Sequence, residues 1–278
     1  RAGRPPKVVD TVATGLEVPW GLAFLPDGDA VVTERMSGRV LLLSGPRHRV
    51  SELGTIDITE PNVEAGLLGV AVSPDFDRDR LLYFYVSTAE DNRVVRAPLR
   101  RAGLGELEEV LTGIPNGFLH DGGRLLFGPD GLLYVSTGEI GEPALAQDGD
   151  SLAGKILRIT PDGDPAPGNP FDSPVWSWGH RNVQGLAFDD DGRLWASEFG
   201  DSSFDELNLI EKGANYGWPE VEGMPQGSQT DLGFADPQAT WDVAEASPSG
   251  LAFTDGYLYL AALRGERLWR IPGTPQGG

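Results

Sequence analysis

The sequence contains no cysteine, two methionines and three histidines in 278 residues. Without cysteine there is neither a disulfide framework nor a thiolate metal site. Cations are scarce too: 22 Lys and Arg stand against 42 Asp and Glu, a formal net charge of −20. Such a surface repels the phosphates of nucleic acid and of an anionic membrane, and its plain consequence is solubility. No apolar run approaches the roughly 20 residues that span a bilayer, so membrane insertion is not expected. There is no G-x-S-x-G elbow, no H-E-x-x-H and no nucleotide-type glycine loop. The chain opens at Arg1 without a signal peptide, as a mature exported form or a trimmed chain would.

What is present is a repeated phrase. WGLAFLPDG (20–28), LGVAVSPDF (68–76), GRLLFGPDG (123–131), QGLAFDDDG (184–192) and SGLAFTDGY (249–257) each join a short apolar strand to a tight turn. A second strand follows each time: AVVTER, LLYFYVS, LLYVSTGE, RLWASEFG and YLYLAAL. This is the hairpin signature. A third strand often comes next, as in GRVLLL, RVVRAPL, GKILRIT and RLWRI. The phrases recur at roughly the spacing of propeller blades. A β-sandwich would not explain the recurrence. The expected fold is therefore all-β, one propeller domain over residues 1–278 built of four-stranded antiparallel blades. Five units are visible, whereas sheets of this kind usually close with about six to eight blades. The expectation is a six-bladed ring whose last blade is incomplete in this sequence, with KVVDTVATGL (7–16) offering a spare strand.

In such a ring the loops before the inner strands face one mouth of the channel. Polar groups fall there at Glu64, at His120, in GHRNVQG (179–185), in SEFGDSSFDELN (197–208) and in ALRGERL (262–268). An imidazole can take a proton near neutral pH, so His120 reads either as a general base or as a turn cap. Arg181, Asn182 and Gln184 form a donor-rich loop, better suited to an anionic ligand than to a plain turn. His180 reads as a packing group behind Arg181, and His48 as a surface turn. Glu198, Asp201, Asp205 and Glu206 lack a cation-binding spacing and read, on residues alone, as an ordinary acidic loop. Arg124 and Lys155 read as satisfying groups between blades, without a catalytic role.

Taken in order, VPWGLAFLPDG, EAGLLGVAVSPDF, HDGGRLLFGPDGLLYVSTGE, DSLAGKILRITPDG, GHRNVQGLAFDDDGRLWASEFG, DELNLIEKGANYGWP and SPSGLAF with ALRGERLWRI resemble the soluble PQQ-dependent aldose sugar dehydrogenases, the glucose/sorbosone dehydrogenase family. The likeness covers nearly the whole chain. It implies a six-bladed propeller carrying pyrroloquinoline quinone (PQQ) over the channel mouth, and a quinoprotein that oxidises aldoses at C1 to lactones. By resemblance His120 is the base that removes the C1 hydroxyl proton as hydride passes to the quinone C5. Arg181 stabilises the oxygen that gains charge, and Glu64, Arg181, Asn182 and Arg264 hold the cofactor. Calcium is expected on the carbonyls of Gly200 and Asp201, and a second calcium on Glu206 and the carbonyl of Tyr216. An external electron acceptor and a periplasmic or secreted location belong to the same implication. The sequence departs from the family at Leu119, where Asn or Asp is usual, at FGD (199–201) in place of HGP, and after Arg270, where an R-x-R pair is expected. The last departure keeps open an alternative: a non-enzymatic binding module of the same family that has lost its cofactor. A metal-dependent lactone hydrolase is a third reading. It needs side-chain carboxylates at the channel, and the inner-strand entrances supply only Glu64.

Overall fold

The structure is a computed structural model that describes residues 7–59 and 62–275. Each repeated phrase folds as a hairpin for local reasons. After the first strand, Leu25 N–H donates to Asp29 O at 2.8 Å and Gly28 N–H to Leu25 O at 3.0 Å. Gly28 takes a φ of +90°, a conformation that costs glycine little.

The hairpins extend into five antiparallel sheets. Sheet one runs β1 (Pro19–Phe24), β2 (Ala30–Glu34), β3 (Arg39–Ser44) and β4 (Arg49–Thr55). Sheet two runs β5 (Leu67–Val72), β6 (Leu81–Ser87) and β7 (Asn92–Arg100); β7 then pairs with β8 (Gly103–Leu104) and β9 (Glu108–Ile114). Sheet three is β10 (Leu125–Phe127), β11 (Leu133–Ser136), β12 (Lys155–Ile159) and β13 (Val175–Trp178). Sheet four is β14 (Val183–Phe188), β15 (Leu194–Glu198), β16 (Phe204–Ile210) and β17 (Ala239–Asp242). Sheet five has three strands: β18 (Pro248–Thr254), β19 (Tyr257–Ala262) and β20 (Arg267–Pro272).

The first strands of successive sheets lie side by side: β1 on β5, β5 on β10, β10 on β14 and β14 on β18. The apolar clusters lie between neighbouring sheets. Val31, Val40, Leu67 and Leu82 join sheets one and two. Leu68, Tyr85, Leu125 and Val135 join two and three. Ile156, Leu186 and Ala196 join three and four, and Trp195, Leu207, Leu258 and Leu260 join four and five. Burial between sheets rather than within one pair of sheets defines a propeller and excludes the sandwich. The axis is tight enough to require the glycine of the repeated phrase. A Cβ on Gly69 would stand 2.2 Å from Gly123 O.

The expectation of six blades is corrected: the described residues form five sheets, one per phrase. The spare strand assigned to 7–16 does not form. Ala13 and Leu16 instead pack on Ala30, Val32, Leu41 and Leu43, the face of sheet one turned away from sheet two. Among the described residues helix is confined to one turn at Phe76–Asp79 and two 3-10 segments. No helix among the described residues is long and apolar enough to cross a membrane.

Candidate active site at the mouth of the ring

Glu64, His120 and the Arg181–Asn182 pair stand immediately before β5, β10 and β14, so three adjacent inner strands deliver them to one place. Asn62 Oδ1 fixes the first loop by accepting the N–H groups of Glu64 and Ala65 at 3.1 and 2.9 Å. Glu64 Oε2 then gathers the other two loops. It accepts the His120 backbone N–H at 3.0 Å, Asn182 Nδ2 at 2.9 Å and Gln184 Nε2 at 3.4 Å. Asn182 Oδ1 takes the Gly122 N–H at 3.1 Å, which ties the glycine pair after His120 to the fourth sheet.

His120 adopts φ 60°. Its Nδ1 pairs with Oε1 of Glu139, a side chain that is 1% exposed and lies just beyond β11, the second strand of sheet three. A carboxylate accepts, so Nδ1 carries the proton and Nε2 is left as the acceptor. The imidazole retains 12% exposure. Glu139 also donates its backbone N–H to Arg181 O at 2.8 Å, which binds the histidine's partner to the arginine loop. Sequence reasoning missed Glu139. Its signal was a carboxylate closing the apolar strand LLYVSTGE, directly beyond the hairpin that His120 opens.

The Arg181 guanidinium turns toward the loop after β15. Nη1 donates to Gly200 O at 2.5 Å and Nη2 meets Asp201 Oδ1 at 3.1 Å, with the guanidinium carbon 5.4 Å from the Trp218 ring centre. Its buried Nε has no partner among the described residues. Behind it, Glu198 binds the Arg181 backbone N–H through one oxygen and His180 Nδ1, at 2.9 Å, through the other. His180 is fully buried, donates to or accepts from Ser177 Oγ at 2.9 Å and stacks on Tyr216. It is the packing group its position suggested.

Of the segment 197–208 only residues 199–203 form a loop: Ser197 and Glu198 end β15 and Phe204 begins β16, so Asp205 and Glu206 are buried strand residues. Asp205 accepts the Gly200 N–H at 2.9 Å and the Ser247 N–H at 2.6 Å, and burial raises its pKa. Burial, and then the charge of Glu198, pushes the Glu206 carboxyl up; it accepts from Asn208 and from Gly223 N–H at 3.0 and 2.7 Å. The Tyr216 hydroxyl is turned away to Leu209 O at 2.6 Å. Arg264 is exposed on the turn between β19 and β20, where its backbone N–H donates to Ala246 O at 3.1 Å. The structure thus unites Glu64, His120, Arg181, Asn182, Gly200 and Asp201. Glu206 and Tyr216 stand behind them, and Arg264 at the rim.

The donor set fits an anionic, hydrogen-bonding cofactor: an unfilled buried Nε on Arg181 and an Asn182 amide lie beside a histidine whose Nε2 is left as an acceptor. Calcium is fitted less directly. Of its expected ligands the Gly200 carbonyl is held by Arg181, which meets Asp201 at its side-chain Oδ1 and not at its carbonyl, and no group of three or more His, Asp or Glu among the described residues is placed to hold a metal.

An all-β ring with a carboxylate-backed imidazole and an arginine at one mouth is the class of protein defined here. The sequence matches the Glucose / Sorbosone dehydrogenase family over residues 16–271, and the chain belongs to that family of oxidoreductases. It is similar to a PQQ-bound aldose sugar dehydrogenase of Streptomyces coelicolor, 54% identical with a TM-score of 0.92, covering 96% of this chain and 80% of that one. It is 33% identical to quinoprotein glucose dehydrogenase B of Acinetobacter calcoaceticus over 81% of this chain, and 31% identical to an aldose sugar dehydrogenase of Escherichia coli over 76%. The chain spans 54% and 61% of the length of those two relatives.

Proposed function

We propose that this chain is a PQQ-dependent sugar dehydrogenase that oxidises an aldose at C1 to a lactone and passes the electrons to an external acceptor. The observation that carries the reading is the His120–Glu139 pair, set in one mouth with Glu64, Asn182 and Arg181. The quinoprotein relative and the PQQ-bound neighbour support the same cofactor. Bound PQQ supplies a two-electron acceptor for hydride; the protein supplies the rest.

His120 Nε2 takes the sugar hydroxyl proton. As the ring becomes imidazolium, the Glu139 carboxylate beside Nδ1 compensates the new charge and keeps the ring aimed. Glu64 holds the His120 backbone and the Asn182 amide in register, so base and cofactor donor are placed by one carboxylate. Arg181 offers its Nε, and the guanidinium charge, to an oxygen that becomes negative. Calcium on the carbonyls of Gly200 and Asp201 would take the Gly200 oxygen from Arg181 and leave the guanidinium on Asp201 Oδ1; when bound it would act as a Lewis acid on the quinone carbonyl. The second calcium is assigned to Glu206 and the Tyr216 carbonyl, where it would relieve the crowding of Glu206 against Glu198. Arg264 serves a cofactor carboxylate from the rim. A periplasmic or secreted site of action goes with the same reading.

The test is a titration with PQQ and calcium, followed by dye reduction with aldoses. Binding with a cofactor absorbance shift and sugar-dependent reduction are expected. His120→Ala should keep PQQ binding and lower kcat by roughly 10²- to 10⁴-fold. Failure of the folded protein to bind PQQ at micromolar concentration would overturn the reading in favour of the binding module.

A further inference from the structure

The loop that carries Gly200 and Asp201 has little to hold it. Residues 201–203 are exposed and short-chained, and no sheet hydrogen bond reaches them until β16 begins at Phe204. Yet four successive N–H groups of this loop converge on a single oxygen. Glu222 Oε1 accepts from Asp201 at 2.7 Å, Ser202 at 3.0 Å, Ser203 at 2.9 Å and Phe204 at 3.1 Å. Successive backbone N–H groups curled around one point form an anion-binding concavity. Here the anion belongs to the chain itself.

The carboxylate is presented from a fixed base. Gly223 N–H donates to the buried Glu206 at 2.7 Å, and Val221 N–H to Gly217 O at 2.9 Å. The wrap is close: a Cβ on Gly200 would lie 1.9 Å from Phe204 O and 2.7 Å from Glu222 Oε1. The other end of the same loop supplies Gly200 O and Asp201 Oδ1 to Arg181. The guanidinium is therefore aimed by a loop whose shape is set by Glu222.

We propose that Glu222 is a positioning residue for Arg181. Its carboxylate is a built-in anion that curls residues 201–204 and thereby fixes the oxygens that hold the guanidinium. The importance of Arg181 rests on the function proposed above; the shaping of the loop does not. It follows that a chain lacking this side chain carries a vacant pocket for a small carboxylate.

The experiment uses the full chain without cofactor. Amide hydrogen exchange is followed at residues 201–204 in the wild type, in Glu222→Ala and in the isosteric Glu222→Gln. Glu222→Ala should speed exchange at these amides by about tenfold or more, with the rest of sheet four unchanged. Sodium formate should restore protection in Glu222→Ala and leave the wild type unaffected, whereas formamide, its neutral counterpart, should not. Glu222→Gln should fall between the two. With PQQ bound, formate should also recover part of the lost cofactor affinity. Unchanged exchange in Glu222→Ala, exchange that formate fails to slow, or equal rescue by formamide would each overturn the proposal. Should Glu222→Ala fail to fold, Glu222→Gln decides: exchange like that of the wild type refutes the charge. A wild type that never reduces dye would sink the proposed function and leave the exchange result standing.

Discussion

The same four residues, Gly-Leu-Ala-Phe, lie in the inner strands of sheets one, four and five, at 21–24, 185–188 and 250–253. In sheet four, Leu186 and Ala187 are 3% and 6% exposed; in sheet one, Leu22 and Phe24 are 56% and 68% exposed. The local structure is one and the same, an antiparallel hairpin with its glycine at the axis. What differs is company. The fourth sheet has a sheet on each side, whereas among the described residues the first sheet has a packed neighbour only at sheet two. Burial here is conferred by the ring and not by the phrase.

That contrast can be broken at several points. The largest expected effect is at Leu186: truncation to Ala should cost about 3 kcal/mol in a denaturant titration, the usual loss for an enclosed leucine. Leu22→Ala should stay within about 0.5 kcal/mol, and equal losses would refute the comparison. Next comes Lys155, fully buried in sheet three with Nζ on the carbonyls of Leu145, Ala146 and Ala153 at 2.7–3.2 Å. Burial pulls its pKa down from 10.5 to about 8. Between those values the unfolded chain holds the extra proton, so the burden Lys155 places on the fold lifts as pH rises. The stability of the wild type relative to Lys155→Met should therefore improve between pH 8 and 10.5, on the order of 2 kcal/mol; a flat difference would show an amine that stays protonated in the fold as it does in the unfolded chain.

The glycines of the phrase give a finer cut. A Cβ on Gly185 would stand 2.1 Å from Ser197 Oγ and 2.4 Å from Ser249 O, but on Gly250 it would meet only Arg124 Nη2, at 4.0 Å. Gly185→Ala should thus cost roughly 1–3 kcal/mol by overpacking, and Gly250→Ala close to nothing, as read from thermal midpoints. The smallest effect belongs to Phe24→Ser, which should leave the midpoint nearly unmoved while lowering self-association in sedimentation, since it removes an apolar ring from the surface.

The sheets were legible because each combines a two-residue period with a Pro, Asp and Gly turn, and both signals are local. The histidine, the arginine loop and Glu64 were legible because they sit at strand entrances, which a ring must bring together. Glu139 was not, since its pairing with His120 depends on how far β10 and β11 slide past each other. Glu222 was harder still: a carboxylate filling a backbone nest leaves no mark in the spacing, and the donors are N–H groups that every residue has. FDELNLI was read as acidic loop because its polar residues mask the alternation, although Leu207 and Ile210 turn into the core. The number of sheets was overestimated by one, because the sixth was expected from the usual blade number and from no phrase of its own, and the described residues form one sheet per phrase.

His120 holds a φ of 60°, a region that asparagine and aspartate enter more often than other residues with a side chain and that β-branched residues avoid. The codons of histidine lie a single base from those of both. A point change to asparagine would therefore keep the turn and the N–H bond to Glu64 while erasing the imidazole. One base change can thus remove the imidazole and leave the scaffold whole.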